Sequence, residues 1–508
     1  MNNSYFIGVD VGTTSTKAIV FSVTGEMKSI SNRGYPIAVP RPGWAEQDPE
    51  EIFSDVLLAV REAVRQANIA KSEVAAIGFS GAMHSLIAVN AEGQPLTPAI
   101  IWADNRSIAQ TTRLKQDGTG QALYRRTGTP IHPMSPLTKL LWMREEAIEM
   151  FQQAARFISI KEYIFYKLFD RFIVDYSIAS ATGLFNLKQQ QWDAEALDYV
   201  GIAPDRLSEL VPTTYVLRGF KREYAETMGI DADTPMVVGA SDGVLANLGV
   251  GAINPRQVAI TLGTSGAVRT VVPTPLTDPQ GRTFCYALTE NHWVIGGPSN
   301  NGGIVLRWLR DEFCQTEVTL AKQMNADPYE IMIKAASEIP LGAEGLICLP
   351  FLSGERAPYW NAEARGIFFG VGLHHHRAHF IRAVLEGILF SVYSINLALQ
   401  DLVNPAEEIR ASGGFARSGI WLQMAADVFG YDVVVPQVYE GSSFGAAVLA
   451  MVAVGQLSQL ENVESLIQAG DRYHPHLDYT HRYHQLFDIY DRLYRTNVND
   501  FSLLNQLR

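Results

Sequence analysis

The sequence predicts an α/β protein built of two related halves, and three observations carry that reading. At 508 residues the chain is too long for one ordinary core. Short apolar runs of strand length alternate with runs whose apolar residues recur at intervals of three and four. A strand, a small polar tip and a returning strand also occur twice, at Tyr5 to Ser22 and at Val258 to Val272. Length alone allows two to four domains, and the duplication favours two.

The first element is a hairpin. Tyr5 to Val11 and Ala18 to Phe21 flank a tip of Gly12, Thr13, Thr14, Ser15 and Thr16. Gly12 lets the backbone approach a ligand, and the neighbouring N–H groups and hydroxyls offer neutral donors to phosphate oxygens. Asp10, just before the tip, could hold a metal ion through water. An ordinary hairpin would use the same threonines as strand formers, so this copy alone does not decide. The second copy, with Gly263, Thr264 and Ser265 at its tip, gives each half a candidate phosphate loop.

Pro36 to Pro49 leads into an amphipathic helix over 50–67, with Ile52, Val56, Ala59 and Ala63 on one face. Ala75 to Ser80 reads as a buried strand and Leu86 to Val89 as the strand returning from it, which places Met83 and His84 at a sheet edge. A histidine there serves packing as readily as binding. Ile100 to Arg106 reads as a strand whose alternation sends Trp102, Asp104 and Arg106 to one side. An aromatic face, an acceptor and a cation suit a polyhydroxylated ligand, although a packed Trp beside a surface ion pair gives the same pattern. Thr127 to Pro136 is too rich in proline for a helix and forms a rigid loop carrying His132. Helices follow at 139–150 and 160–168.

Pro235 to Gly243 is a buried strand ending in a small polar turn, with a helix from Val244 to Leu248. Asp242 stands where an N-cap belongs. It also stands at the junction of the two halves, where ligand clefts form. Trp293 to Gly303 is a strand breaking into a Gly/Asn turn ahead of a helix over 304–313, and Leu349 to Trp360 is an aromatic and charged loop. Ile409 to Arg417 is a strand running into Gly413 and Gly414, then a helix over 420–429; bare backbone there can admit a flat ring. His374 to His376 reads as a solvated loop rather than a metal tract.

Composition narrows the function classes. Hydrophobic residues make up 47% and charged residues 19%, as in a globular protein. A net charge of -12 argues against nucleic acid or an anionic membrane as the main partner. Cys285, Cys314 and Cys348 are odd in number and lack paired metal spacing, which argues against disulfides and zinc and for a reducing compartment. Ala446 to Val454 falls short of the ~20 residues of a spanning helix, and no leader pattern opens the chain, so a cytoplasmic enzyme is expected.

Together these residues resemble the FGGY carbohydrate kinases, within the superfamily of actin, chaperone ATPases and hexokinase. Two family patterns are present: Met134 to Glu146, with Lys139 and Trp142 inside it, and Gly366 to Val371 followed by His379 to Glu386. Within the family, Gly81 to Ser85, Trp102 to Arg106, Arg126 to Met134 and Phe284 to Trp293 are most similar to the members that act on gluconate. The resemblance implies two ribonuclease-H-like domains, each a mixed five-stranded sheet flanked by helices, with an interdomain cleft, divided as 1–246 and 247–508. It implies ATP and Mg2+ as cofactors, with Asp10 orienting magnesium. Thr13, Thr14, Ser15 and Lys17 would serve the phosphates from one side and Gly263, Thr264 and Ser265 from the other. Gly303, Gly413, Gly414 and Arg417 would line the nucleoside site, Asp242 would be the catalytic base, and Met83, His84, Trp102, Asp104, Arg106 and His132 would surround the sugar. Ser412 departs from the family's frequent run of three glycines at the nucleoside turn.

The reaction so implied transfers the γ-phosphoryl of ATP to a terminal hydroxyl of D-gluconate, with a homodimer left open. Another FGGY specificity such as xylulose is the nearest rival. A non-enzymatic ATP-gated binding protein of the actin or chaperone type would keep the loops but has no use for a sugar cluster or for a base at Asp242. The chain lacks a Gly-x-x-x-x-Gly-Lys-Ser/Thr sequence, so it is not a P-loop enzyme.

Overall fold

In the first of the two compact units, Tyr5–Val11 (β1), Ser15–Ser22 (β2), Met27–Gly34 (β3), Val74–Gly81 (β4), Val216–Leu217 (β5) and Met236–Ser241 (β6) form a six-stranded sheet in the order β5-β6-β4-β1-β2-β3. The structure is a computed structural model and describes residues 4–437 and 440–507. This unit comprises Met1–Ile253, Val271–Ile295 and Val438–Gln468, and the second comprises Asn254–Thr270, Gly296–Gln437 and Ala469–Arg508. β1 runs antiparallel to β2 and parallel to β4, and β4 runs parallel to β6. The resemblance implies five strands; the short edge strand β5 makes a sixth.

Helices cover both faces of this sheet. Helix α1 (Pro49–Ala67) starts where the Asp48 side chain accepts the Glu50 N–H, with Pro49 at its first position, and it ends at Asn68 in the left-handed region. Its stripe of Ile52, Val56, Val60 and Ala63 is buried in one cluster with Ile7, Val9 and Val20. Full burial of each such branched side chain contributes roughly 1.5 to 3 kcal/mol. After α2 (Pro136–Glu146), the opposite face receives α3 (Asp242–Gly249) and α4 (Gly441–Ala453), which pack through Val244, Leu248, Ala447 and Ala450. α4 lies so close to β1 and β4 that a Cβ at Gly8 or Gly78 would run into the carbonyls of Ser443 and Ala446. This close packing draws a late segment of the chain into the first unit.

Three local expectations are corrected. Leu86 to Val89 does not return along β4, because β1 and β6 occupy both edges of that strand; Ile87–Val89 pairs with Arg156–Ile158 instead. The strand expected over Ile100 to Arg106 is only Ala99–Ile100, paired with Glu46–Gln47, and the Asp104 N–H closes a turn on the Ile101 carbonyl at 3.1 Å. The helix expected over 139–150 is two helices, Pro136–Glu146 and Ile148–Gln153, broken at Ala147.

The second unit repeats the plan. Gln257–Leu262 (β7), Gly266–Val272 (β8), Glu408–Ser412 (β9), Asp432–Pro436 (β10) and Ala469–Tyr473 (β11) run in the order β8-β7-β9-β10-β11 within a sheet of seven strands, two more than the five expected, the others being Phe284–Thr289 and His292–Ser299. As in the first unit, an antiparallel hairpin is followed by two parallel strands and an antiparallel edge. The helix Arg377–Gln400 is, among the described residues, the one long and apolar enough to cross a membrane, and 89% of its most apolar window is buried in the protein. The three cysteines are buried and unpaired, and His374 and His376 are exposed in a loop.

Candidate active site

The tip between β1 and β2 is tied down from behind. The Gly12 N–H closes it on the Ser15 carbonyl at 3.0 Å, and the Tyr35 N–H donates to the Thr14 carbonyl at 3.2 Å. The Tyr35 hydroxyl donates to the Gly12 carbonyl at 2.5 Å and the Gln47 amide to the Thr13 carbonyl at 2.7 Å. Thr13 Oγ1 accepts from the Trp102 indole at 2.8 Å, and Thr14 is exposed. With its carbonyls occupied by the protein, the tip is suited to offer donors to an anion.

Asp10 leaves β1 opposite Lys17 and beside Ser80. The Ser80 hydroxyl donates to its Oδ1 at 2.6 Å. Burial raises the Asp10 carboxyl above its usual range, against the Ser80 hydrogen bond and the Lys17 charge. Asp10 Oδ2 lies 4.0 Å from where a Gly12 Cβ would stand, on the side of the tip. No group of three or more His, Cys, Asp or Glu able to hold a metal occurs among the described residues. One part-buried carboxylate beside a phosphate loop fits a magnesium ion that keeps water and phosphate oxygens as its other ligands. Lys17 is paired with Glu440 at 2.7 Å.

The second tip has the same closure. The Gly263 N–H bonds the Ser265 carbonyl at 2.9 Å, and Thr264 is exposed. Here a helix start ties the tip down: the Gly303 N–H donates to the Gly263 carbonyl at 2.7 Å and the Ile304 N–H to the Thr264 carbonyl at 3.1 Å. Gly413 has φ +89, and a Cβ on it would meet the Leu262 carbonyl at 2.5 Å, so the glycine turn passes directly over the end of β7. Gly263, Thr264, Gly303, Gly414 and Arg417 share the lining of a cavity of ≈ 610 Å³ within this unit, the size of a small-molecule site. Ser265 and Gly413 support that lining from behind, and the Ser412 and Thr261 hydroxyls bond to each other at 2.9 Å.

Around the expected sugar site the residues divide. Thr13, Met83 and Trp102 border one small void of ≈ 10 Å³, and Met83 Cε lies 3.1 Å from where a Gly243 Cβ would stand, next to Asp242. Asp242 opens α3 at its first position rather than as the N-cap, which is Ser241; its Oδ1 accepts the Gly243 N–H at 2.7 Å. His84 has φ +70 and its Nδ1 donates to the Ala181 carbonyl at 2.8 Å. His132 Nδ1 accepts the Met134 N–H at 3.2 Å, which leaves the ring proton on Nε2. Asp104 and Arg106, by contrast, are enclosed. Their side chains are 0% and 3% exposed; Arg106 also reaches Glu46 at 2.6 Å and lies 3.7 Å over the Trp44 ring. The pair is neither on the surface nor laid along a strand face.

Two family models divide the chain, and the C-terminal match takes in 271–295 and 438–454, which belong to the first unit. Residues 5–249 match the N-terminal domain of the FGGY family of carbohydrate kinases and residues 258–454 match its C-terminal domain. The chain belongs to the FGGY family of carbohydrate kinases. This FGGY kinase is 48% identical over 500 residues to the gluconokinase of Bacillus subtilis, a match covering 98% of this chain and 97% of that one. Two solved structures from Lactobacillus acidophilus, a gluconate kinase and a ligand-bound xylulose kinase, each superpose with a TM-score of 0.93 at 36% identity, covering 99% of this chain and 100% of theirs.

Several residues that shape the kinase site carried no signal in the sequence. Gln47 and Tyr35 reach the first tip from outside it. Glu355, 1% exposed, accepts from Ser299, Ser391 and the N–H of Asn300, and so fixes the turn ahead of Gly303. Lys161 pairs with Asp175 at 2.6 Å and donates to the Ala240 carbonyl at 3.0 Å, beneath the strand end that carries Asp242. Gln47 lies within the Pro36 to Pro49 segment and Glu355 within the Leu349 to Trp360 loop, but nothing in either segment marks these residues out.

Proposed function

We propose that this FGGY kinase transfers the γ-phosphoryl group of ATP to the terminal hydroxyl of D-gluconate, giving 6-phosphogluconate and ADP. The observation that carries the reading is the full-length similarity to a gluconokinase at 48% identity, against 28% for the xylulose kinase of the same Bacillus subtilis strain. As the bond from the sugar oxygen to phosphorus forms and the bond from phosphorus to the β-phosphate oxygen breaks, the hydroxyl proton passes to the Asp242 carboxylate. A positioned base of this kind contributes typically 10²- to 10⁴-fold. Alignment and charge neutralisation supply the rest, since phosphoryl transfer asks for little covalent help.

In this reading Thr13, Thr14 and Ser15 in the first unit and Gly263, Thr264 and Ser265 in the second each donate to phosphate oxygens. The 610 Å³ cavity takes the nucleoside, with Gly303, Gly413, Gly414 and Arg417 around it. Asp10 would hold magnesium, which when bound neutralises phosphate charge. Lys17 sets the charge beside Asp10 together with Glu440. Met83 and Trp102 contact the sugar. Because Arg106 is committed to Asp104 and Glu46, the substrate carboxylate falls to His84 and His132, with the Asp104–Arg106 pair as support. A cytoplasmic setting belongs to the same reading.

The structure named for xylulose, equally similar in fold, supports a second reading with a neutral ketose as acceptor. A coupled ADP-release assay separates the two. The gluconate reading expects kcat/KM for D-gluconate to exceed that for D-xylulose and glycerol by at least about 10²-fold, or ~2.7 kcal/mol of transition-state discrimination. Comparable efficiency on xylulose would leave the kinase and remove the gluconate assignment.

A further inference from the structure

Lys139 is an unexpected residue for the interior of α2. Its neighbours Leu137, Leu140, Leu141 and Met143 are buried and apolar, and Lys139 itself is 0% exposed. An aliphatic side chain would meet the packing demand at that position, so the ammonium requires another reason.

That reason lies in its three hydrogen bonds. Nζ donates to the carbonyls of His84 at 2.6 Å, Ile101 at 2.8 Å and Ile100 at 3.2 Å. In its charged form the amine has three protons and no acceptor, and each of the three then has an oxygen. The acceptors belong to two separate segments, the turn after β4 and the end of the strand Ala99–Ile100 with the turn that follows it. His84 is the residue at which the first turn enters the left-handed region, with φ +70, a conformation that a large non-glycine residue keeps only when its surroundings hold it. Its side chain is bonded to the Ala181 carbonyl and its own carbonyl to Lys139, and both bonds help to hold it. Ile101 immediately precedes Trp102, whose indole reaches Thr13 in the phosphate tip.

We propose that Lys139 is a positioning residue for the sugar acid, clamping the Met83–His84 turn and the Trp102 turn in the one register in which both meet the substrate. The inference rests on the placement of the sugar at Met83, His84 and Trp102. It assigns Lys139 no contact with substrate. Loss of the clamp loosens the acceptor site and leaves the nucleotide cavity in the other unit unchanged.

The test compares Lys139→Met, which removes all three donors, and Lys139→Gln, which keeps two, with Met83→Ala as the control for the site itself. Gluconate KM is measured at saturating ATP, ATP affinity by calorimetry and folding by circular dichroism. The expected result is a graded rise in gluconate KM, about tenfold or more for Lys139→Met and less for Lys139→Gln, with ATP affinity within about twofold of the unmodified enzyme. Should Lys139→Met not fold, Lys139→Gln decides on the same criterion, a gluconate KM at least about threefold higher at unchanged ATP affinity. A folded Lys139 variant with unchanged gluconate KM beside an impaired Met83→Ala overturns the clamp. Equal losses for gluconate and ATP also overturn it. If Met83→Ala is silent as well, the placement of the sugar falls together with the clamp.

Discussion

The guanidinium of Arg106 grips the carboxylate of Asp104 through two parallel hydrogen bonds of 2.8 Å, and both side chains are almost wholly withdrawn from solvent. Asp104 also accepts the Ala45 N–H at 2.7 Å, so the pair ties the Trp102 turn to the segment ahead of α1. Removing one member leaves a buried charge short of its partner. Asp104→Asn should therefore destabilise the fold by about 3 to 5 kcal/mol, read from urea unfolding. A change under about 1 kcal/mol would show that the turn does not depend on the pair.

Asp242→Asn keeps the shape of the side chain and its place at the start of α3 but cannot take a proton. Turnover should fall by about 10²-fold or more, with ATP affinity nearly intact. Retention of more than about a tenth of the original turnover would remove Asp242 from the base role. Lower thermal stability with normal turnover would assign it to the helix start alone.

Thr14→Val and Thr264→Val each delete an exposed hydroxyl at nearly constant volume. A hydrogen bond to a charged group is worth roughly 1.5 to 3 kcal/mol, so each change should weaken nucleotide binding or lower turnover by about 10- to 100-fold. Calorimetry and steady-state rates read both. A variant silent in both measurements would reduce its tip to a structural repeat.

Burial pushes Lys139 down to about 7 from its ordinary value of 10.5, with Asp104 opposing the shift and Arg106 adding to it. Between those two values the unfolded chain holds a proton that the folded chain has released. Raising the pH through this window removes that advantage, so this group makes the fold more stable as the pH climbs from about 7 toward 10.5. Below about 7 the full cost of burying the charge is present. Wild-type unfolding free energy should thus rise more steeply with pH between about 7.5 and 9.5 than that of Lys139→Met, by up to ~1.4 kcal/mol per pH unit. Parallel slopes would place the Lys139 proton elsewhere.

The sequence by itself determined the features whose signals are local. Apolar strands around Gly-Thr-Thr-Ser and Gly-Thr-Ser specified both hairpins, the spacing of Ile52, Val56, Ala59 and Ala63 specified α1, and the scattered family patterns specified an FGGY kinase. The Trp102 to Arg106 segment shows where that legibility ends. Its alternation read as a strand face, yet Asp104 and Arg106 turn inward because Glu46, 60 residues away from Arg106, completes their charge balance and Trp44 covers the guanidinium. Tertiary structure alone decided that, as it decided that Lys139 reaches His84 across 55 residues and that Glu355 reaches back 56 residues to Ser299. A period along the chain can report which face of an element is buried, but a buried charge takes its partner from whatever the fold brings within about 3 Å, and that distance has no period in the sequence.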